Sequence, residues 1–332
     1  MNRVLHNYGL IDQESDSSDF ENEMAEFNVA IRKEKIFRER KNYFELLDEV
    51  EFQKRFRLKK RTVKMILEEL QDQIKYPTNR NNAISSMTQL LLTLRFFATG
   101  NFLITAGDFS GVSVAAAGQI VKRVSYALAT KSDKYIKMPK TTAEIMELKV
   151  KFYGLARFPK VIGAIDCTHI KLQSPSREYG EQYRNRKGRL RARMELHEFK
   201  DCVILGDAGY ALSHYLLTPI ANPTTKAERL YNESQIRTRN VVERTFGVWK
   251  RRFPVLFFGL RLKMETSMAV IQSCAILHNI ARLANDPQPP DEVENITDLL
   301  TNELVDIEDV IQPEHNNCGL RNALIAEHFG LM

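Results

Sequence analysis

The chain has 332 residues, enough for two compact domains, and its 43% apolar and 27% charged content is ordinary for globular protein. No segment approaches 18 consecutive apolar residues and the N-terminus has no apolar stretch of signal-peptide type, so neither a membrane helix nor secretion is expected. The net charge of +6 is unevenly spread: residues 1–31 carry −6, residues 285–314 carry ten acids and no Lys or Arg, and residues 32–284 carry +22, which points to a polyanionic partner such as nucleic acid.

The four cysteines, Cys167, Cys202, Cys274 and Cys318, form no C-x-x-C and no zinc-type pair with histidines, which fits a reduced intracellular protein. Residues 14–23 are acidic, Ser-containing and poor in apolar side chains, a composition expected to be disordered. From 26 to about 70 the pattern is helical and basic, most densely at 55–61 (RFRLKKR), which suits a nuclear-import signal, a phosphate contact or a solvated helix face. Leu90, Leu91, Leu94 and Phe97 recur at helical spacing. A short helix through Ala106 and Phe109 is expected next, then a glycine turn at 110–113 with Ser113 as N-cap, then a helix over 114–128. That helix carries Val121, Val124 and Leu128 on one side. The arrangement reads as a helix-turn-helix, which would put its second helix in a DNA major groove, or as an ordinary helical hairpin. Pro139 and a helical 141–154 lead into the second half, and past 285 the acidic, Pro-containing composition reads as a tail.

Residues 160–172 (KVIGAIDCTHIKL) form an apolar, β-branched run expected to be a central strand of an α/β sheet, with Asp166 in its middle. On that reading Ile162, Ala164, Asp166 and Thr168 share one face and His169 lies on the other. Residues 201–207 (DCVILGD) repeat the design and end on Asp207. A buried carboxylate is costly unless it is paired or bound to a metal, so two acids on two apolar strands suggest a divalent-cation site. In 240–253 (NVVERTFGVWKRRF), Val242, Phe246, Trp249 and Phe253 make a helical core stripe with Glu243 beside it. A helix docked on the sheet would aim Glu243 at the strand acids, and Arg239, Arg244, Lys250, Arg251 and Arg252 around it would meet phosphates. Three hard oxygen ligands suit Mg²⁺ or Mn²⁺ and phosphodiester hydrolysis. His278, on an apolar helix over 270–284, is expected to make a structural hydrogen bond.

GAIDCTHI (163–170), YRNRKG (183–188), LGDAGY (205–210), LLTPI (216–220), YN (231–232), VVERTFGVWKRRFPVL (241–256) and AILHNI (275–280) occur in an order that resembles the DDE endonucleases of PIF/Harbinger transposases and the Harbinger-derived nucleases of animals. The resemblance runs over residues 47–280. It implies an RNase H-like α/β catalytic domain over 141–284, preceded by an all-α, helix-turn-helix-containing region over 31–140. Residues 1–30 would be an acidic N-terminus and 285–332 an acidic tail. The family's catalytic, metal-binding acids fall on Asp166, Asp207 and Glu243, with Mg or Mn as cofactor. DNA would be met by Arg184, Arg186 and Lys187 of YRNRKG, by Lys122 and Arg123 of the second helix, and by Arg244, Lys250 and Arg251. The step from Asp166 to Asp207 is 41 residues, and the family places two more strands, most of a helix and a Trp-Pro-Gly-Ser segment within it. The sole tryptophan here is Trp249. The catalytic domain is therefore expected to be shortened at 188–189, with the 161–172 strand left as a sheet edge. The expected function is a metal-dependent DNA endonuclease, or alternatively a catalytically inactive relic or splice isoform that binds DNA or a partner. The resemblance also implies a Myb-like DNA-binding partner protein and a nuclear location, with the cytoplasm as a second compartment.

Overall fold

Helices dominate the first half, and several of them begin at a side-chain cap or end at a left-handed residue. The computed structural model describes residues 38–78, 82–173, 201–290 and 319–332. Lys41–Met332 is one unit and Met1–Arg40 another. Helix α1 spans Tyr43–Leu46, α2 Glu49–Phe56 and α3 Lys60–Ile74. Asp48 caps α2 by accepting the Glu51 amide at 2.7 Å, and α2 stops at Arg57, whose φ of 64° is left-handed. The basic run 55–61 therefore straddles a helix break, with Phe56 and Leu58 inside it buried. Helices α4 (Ser86–Thr99), α5 (Leu103–Ser110) and α6 (Val114–Ala129) follow. Ser113 caps α6, accepting the Ala116 amide at 3.2 Å. Gly100 ends α4 at φ 63°, and a Cβ there would come within 2.9 Å of the Phe258 ring and 3.1 Å of the Val255 backbone, so the turn requires glycine. After α7 (Ser132–Tyr135), α8 (Thr142–Ala156) opens on a capping box between Thr141 and Glu144.

Helix α6 lies in the middle of the larger core. Its Val121, Val124 and Leu128 are buried as the spacing predicts, together with Ala117 and Ile120. It packs against α3, α4, α5 and α11 (Met264–Leu283), so solvent meets mainly Val114, Ala115, Gln119, Lys122 and Tyr126. The same core takes Trp249 from α9 (Lys226–Arg252), Phe253 just after it, Leu256 from α10 (Val255–Phe258), and Val270, Cys274 and Leu277 from α11. Packing is thus continuous across the expected division at 140–141. Each fully buried Leu, Val or Phe in this shared core contributes roughly 1.5–3 kcal/mol relative to an exposed side chain.

Three short strands, β1 (Val161–Ala164), β2 (Val203–Leu205) and β3 (Leu216–Leu217), form a parallel sheet in the order β1-β2-β3. This is an α/β arrangement. The expected strand over 160–172 is corrected to four residues, and Asp166 lies past its end, not in its middle. Pairing stops after the Ile165 amide donates to Leu205 O at 2.8 Å, because β2 itself ends there and offers residues 166–171 no further partner. The alternation expected for Thr168 and His169 lapses with the strand. The 201–207 strand likewise shrinks to its three apolar residues: Asp201 turns out at φ 57° and pairs with Lys160 at 2.6 Å. Among the described strands β1 is an edge, with α8 packed against it.

Val161, Val203, Leu205 and Leu217 pack with Phe158, Tyr231, Leu324 and Phe329 in a second core. Leu324 belongs to α12 (Gly319–Glu327), followed by a 3₁₀ turn at Phe329–Leu331. The expected tail is therefore corrected at its end: 319–332 folds onto the sheet because Leu320, Leu324 and Ile325 recur at helical spacing and complete this apolar cluster. On the sheet's opposite face Ile162, Cys202 and Ile204 gather with Ile145 of α8. Among the described residues no helix is long and apolar enough to cross a membrane.

Candidate active site

The parallel register brings the two predicted aspartates to equivalent positions. Ala164 pairs with Leu205, and each acid lies two residues further on, Asp166 beyond β1 and Asp207 beyond β2. Both sit at the carboxyl end of the sheet, where open α/β sheets bind their ligands. Local hydrogen bonds fix both carboxylates: Asp166 Oδ1 accepts the Cys167 amide at 2.8 Å and Asp207 Oδ1 accepts the Gly209 amide at 3.0 Å.

Helix α9 is tied to this end of the sheet by buried polar contacts. Tyr231 Oη donates to Thr218 O at 3.1 Å. The Asn232 side chain both donates to Ile220 O and accepts its amide, each at 2.8 Å. Gln235 Nε2 donates to Gly206 O at 2.8 Å and Leu217 O at 3.3 Å, immediately before Asp207. One turn further along the helix, Arg239 reaches the acids. Its Nη1 donates to Asp166 Oδ2 at 3.3 Å and its Nη2 pairs with Glu243 Oε1 at 2.5 Å. Arg239 and Asp166 are largely shielded, with 13% and 16% of their side chains exposed, whereas Glu243 keeps 47%. A single guanidinium thus joins the first and third predicted acids.

Tyr210 completes the group. Its hydroxyl lies 3.0 Å from Cys167 Sγ. Burial, then the contact with Cys167 and the charges of Asp207 and Asp166, push the phenol pKa well above its ordinary value. Tyr210 therefore remains a protonated hydrogen-bond donor at neutral pH, close to both aspartates.

The donor set of Asp166, Asp207 and Glu243 fits a hard divalent cation in its chemistry. In this conformation Arg239 lies between two of the three, and among the described residues no three His, Cys, Asp or Glu side chains are gathered closely enough to hold an ion.

The expected DNA contacts are scattered. Lys122 is exposed on α6 and Arg244 is exposed on α9, beside Glu243. Arg123 is half-buried, donating to Gln89 Oε1 at 3.2 Å with its guanidinium 4.2 Å from the centre of the Tyr76 ring. Arg251 is half-buried, while Lys250 is buried and donates to His169 O at 2.9 Å. Arg252, expected at phosphates, is instead buried and donates to Arg57 O at 2.9 Å and Pro287 O at 3.0 Å, joining α9 to two loops of the helical core. Arg184, Arg186 and Lys187 lie outside the described residues. Sequence reasoning missed Tyr210, Cys167 and Gln235 and gave Arg239 a different role. The i, i+4 spacing of Arg239 and Glu243 was the available signal for the ion pair.

Residues 189–279, which include Asp207 and Glu243, match the family model of a DDE superfamily endonuclease. The chain is 33% identical over 244 residues to "Putative nuclease HARBI1" of Homo sapiens and 34% identical over 244 residues to that of Rattus norvegicus, covering 62% of this chain and 70% of each relative. It is 21% identical over 261 residues to "Protein ALP1-like" of Arabidopsis thaliana, covering 62% of this chain and 63% of that one. The chain belongs to the family of Harbinger transposase-derived nucleases. The human alignment spans 244 positions but draws on 62% of 332 residues, about 206, so roughly 38 positions of it have no counterpart here. No solved structure matches the chain.

Proposed function

We propose that this chain is a divalent-metal-dependent DNA endonuclease whose ions are held by Asp166, Asp207 and Glu243. The observation that supports the reading is the register of β1 and β2, which leaves Asp166 and Asp207 each two residues past the paired Ala164 and Leu205 at the sheet's carboxyl end, while Arg239 of α9 pairs with both Asp166 and Glu243. Bound Mg²⁺ or Mn²⁺ would supply an activated water and stabilise the leaving oxygen of a phosphodiester. The protein's own part is positioning: the buried contacts of Tyr231 and Gln235 and the half-buried pair made by Asn232 hold α9 against the strand ends. The Tyr210 hydroxyl, in contact with Cys167 Sγ at 3.0 Å, would steady the loop residues that follow the two strands. Exposed Lys122 and Arg244, with Arg184, Arg186 and Lys187, would meet the DNA backbone, and α5 and α6 would serve as the helix-turn-helix. The reading includes an RNase H-like ancestry shortened near 188–189, a nuclear location and a Myb-like partner protein.

A second reading, a relic or isoform that binds without cutting, is favoured by the roughly 38 absent positions of the human alignment. Plasmid nicking in Mg²⁺ or Mn²⁺ separates the two. A nuclease nicks the plasmid, and Asp166→Ala, Asp207→Ala and Glu243→Ala each reduce the rate by about a hundredfold or more. No cutting by the unaltered chain, or equal cutting by all four proteins, leaves the second reading standing.

A further inference from the structure

We infer that Arg239 is an internal cation that takes the place of the metal: in the ion-free protein its guanidinium holds Asp166 and Glu243 together, and a divalent ion must displace it to bind. The inference rests on the metal-site reading and adds a control built into the site.

Clustered carboxylates repel and take up protons unless a positive charge lies among them. Here the charge is supplied from the same helix that carries the third acid. Four residues separate Arg239 from Glu243, so the two side chains stack along one face of α9, and the planar fork of Arg239 presents its other nitrogen to Asp166. Asp166 has two carboxylate oxygens. The Cys167 amide holds Oδ1, and Oδ2 is the one Arg239 takes. Arg239 engages Asp166 Oδ2 and Glu243 Oε1, so a divalent ion held by these two acids would compete with the guanidinium for the same pair of negative charges. The two cations are therefore alternatives. The shielding of Arg239 and Asp166 makes this pair stronger than an exposed ion pair of the same geometry. By linkage, whatever the guanidinium gains from the two acids is subtracted from the ion's apparent affinity.

The test measures Mn²⁺ binding by calorimetry or electron paramagnetic resonance, without DNA and without reference to cutting. Arg239→Gln is expected to bind Mn²⁺ about tenfold more tightly than the unaltered chain. It is also expected to melt at a lower temperature in chelator and to regain that loss in Mn²⁺. Arg239→Lys keeps the charge but replaces the planar fork with a compact ammonium that fits the two carboxylates less well, and should fall between; it carries the test if the Gln variant fails to fold. Arg237→Gln removes a like charge two residues away, paired instead with Glu233, and should leave the affinity unchanged. Equal or weaker Mn²⁺ binding by both Arg239 variants overturns the inference while leaving the metal site intact. So does an Arg237 variant that tightens as much as the Arg239 variants, since general charge removal would then suffice. Absence of binding in every protein, or binding that survives loss of both Asp166 and Asp207, overturns the metal-site reading and the inference with it.

Discussion

Gln235 shows how one buried polar side chain decides where an acid sits. It has no exposed surface, and its Nε2 holds both Gly206 O and Leu217 O, the carbonyls at the ends of β2 and β3. Leu217 O also accepts the Gly206 amide at 3.0 Å, so losing Gln235 leaves Gly206 O the more exposed to an unmet demand. Gln235→Leu, similar in size, removes these donors but also Gln235 Oε1, buried and without a partner among the described residues, so the net loss of stability is expected to be about 1 kcal/mol. A shift of the urea midpoint at unchanged slope would report it. Because Asp207 follows Gly206 directly, the same variant should weaken Mn²⁺ binding beyond any loss of folded protein. A midpoint indistinguishable from that of the unaltered chain would mean that the strand ends hold themselves.

Elements differ in how far their own residues determine them. Helix α12 is the case the composition disguised. It follows ten acids in 285–314, yet Leu324 and Phe329 enter the sheet core beside Phe158 and Tyr231, with the Tyr231 and Phe329 ring centres 5.7 Å apart. Leu324→Ala should therefore cost about 2–5 kcal/mol, as for buried leucines elsewhere, measured as a lowered melting temperature. A change under about 0.5 kcal/mol, the range of surface substitutions, would show that the segment does not belong to the core. The helices of the first half were legible because their signals are local: Ser113 caps the helix it precedes, and Val121, Val124 and Leu128 face inward. Asp166, Asp207 and Glu243 stand out in the sequence as a motif; in the structure the two aspartates follow β1 and β2, and Arg239 pairs with both Asp166 and Glu243. The strand lengths were not legible, because β1 continues only as far as β2 offers partners. Arg239 was read as a phosphate contact for the same reason: its charge is visible in the sequence, but the carboxylate it meets, Asp166, lies 73 residues away.

Over the whole molecule, the two halves meet in one core, and that core contains an ionisable group kept neutral. His278 of α11 is 7% exposed, and its Nδ1 has no hydrogen-bond partner among the described residues, so none of these supplies the structural hydrogen bond expected there to that nitrogen. Burial first, then the charges of Arg252 and Arg282, bring its pKa down to about 4 from the ordinary 6.5. Asp286 offsets part of the Arg252 charge and is itself engaged by Thr62 Oγ1 at 2.8 Å and the Lys59 amide at 3.1 Å. The folded protein thus resists protonation at His278 while the unfolded chain accepts a proton near pH 6.5. Between those two values the unfolded state binds more protons, so stability falls as pH drops through the window and is fully present above it. The loss attributable to this one group is on the order of 2–3 kcal/mol across the window. Carboxylates held below their usual range, such as Asp201 through its bond to Lys160, lose their contribution only at lower pH, below their unfolded pKa. Urea midpoints taken at pH 7 and pH 4.5 should therefore converge in His278→Gln relative to the unaltered chain. Curves that keep the same separation in both proteins would assign the acid sensitivity to other groups and leave His278 a packed but electrostatically silent residue of the shared core.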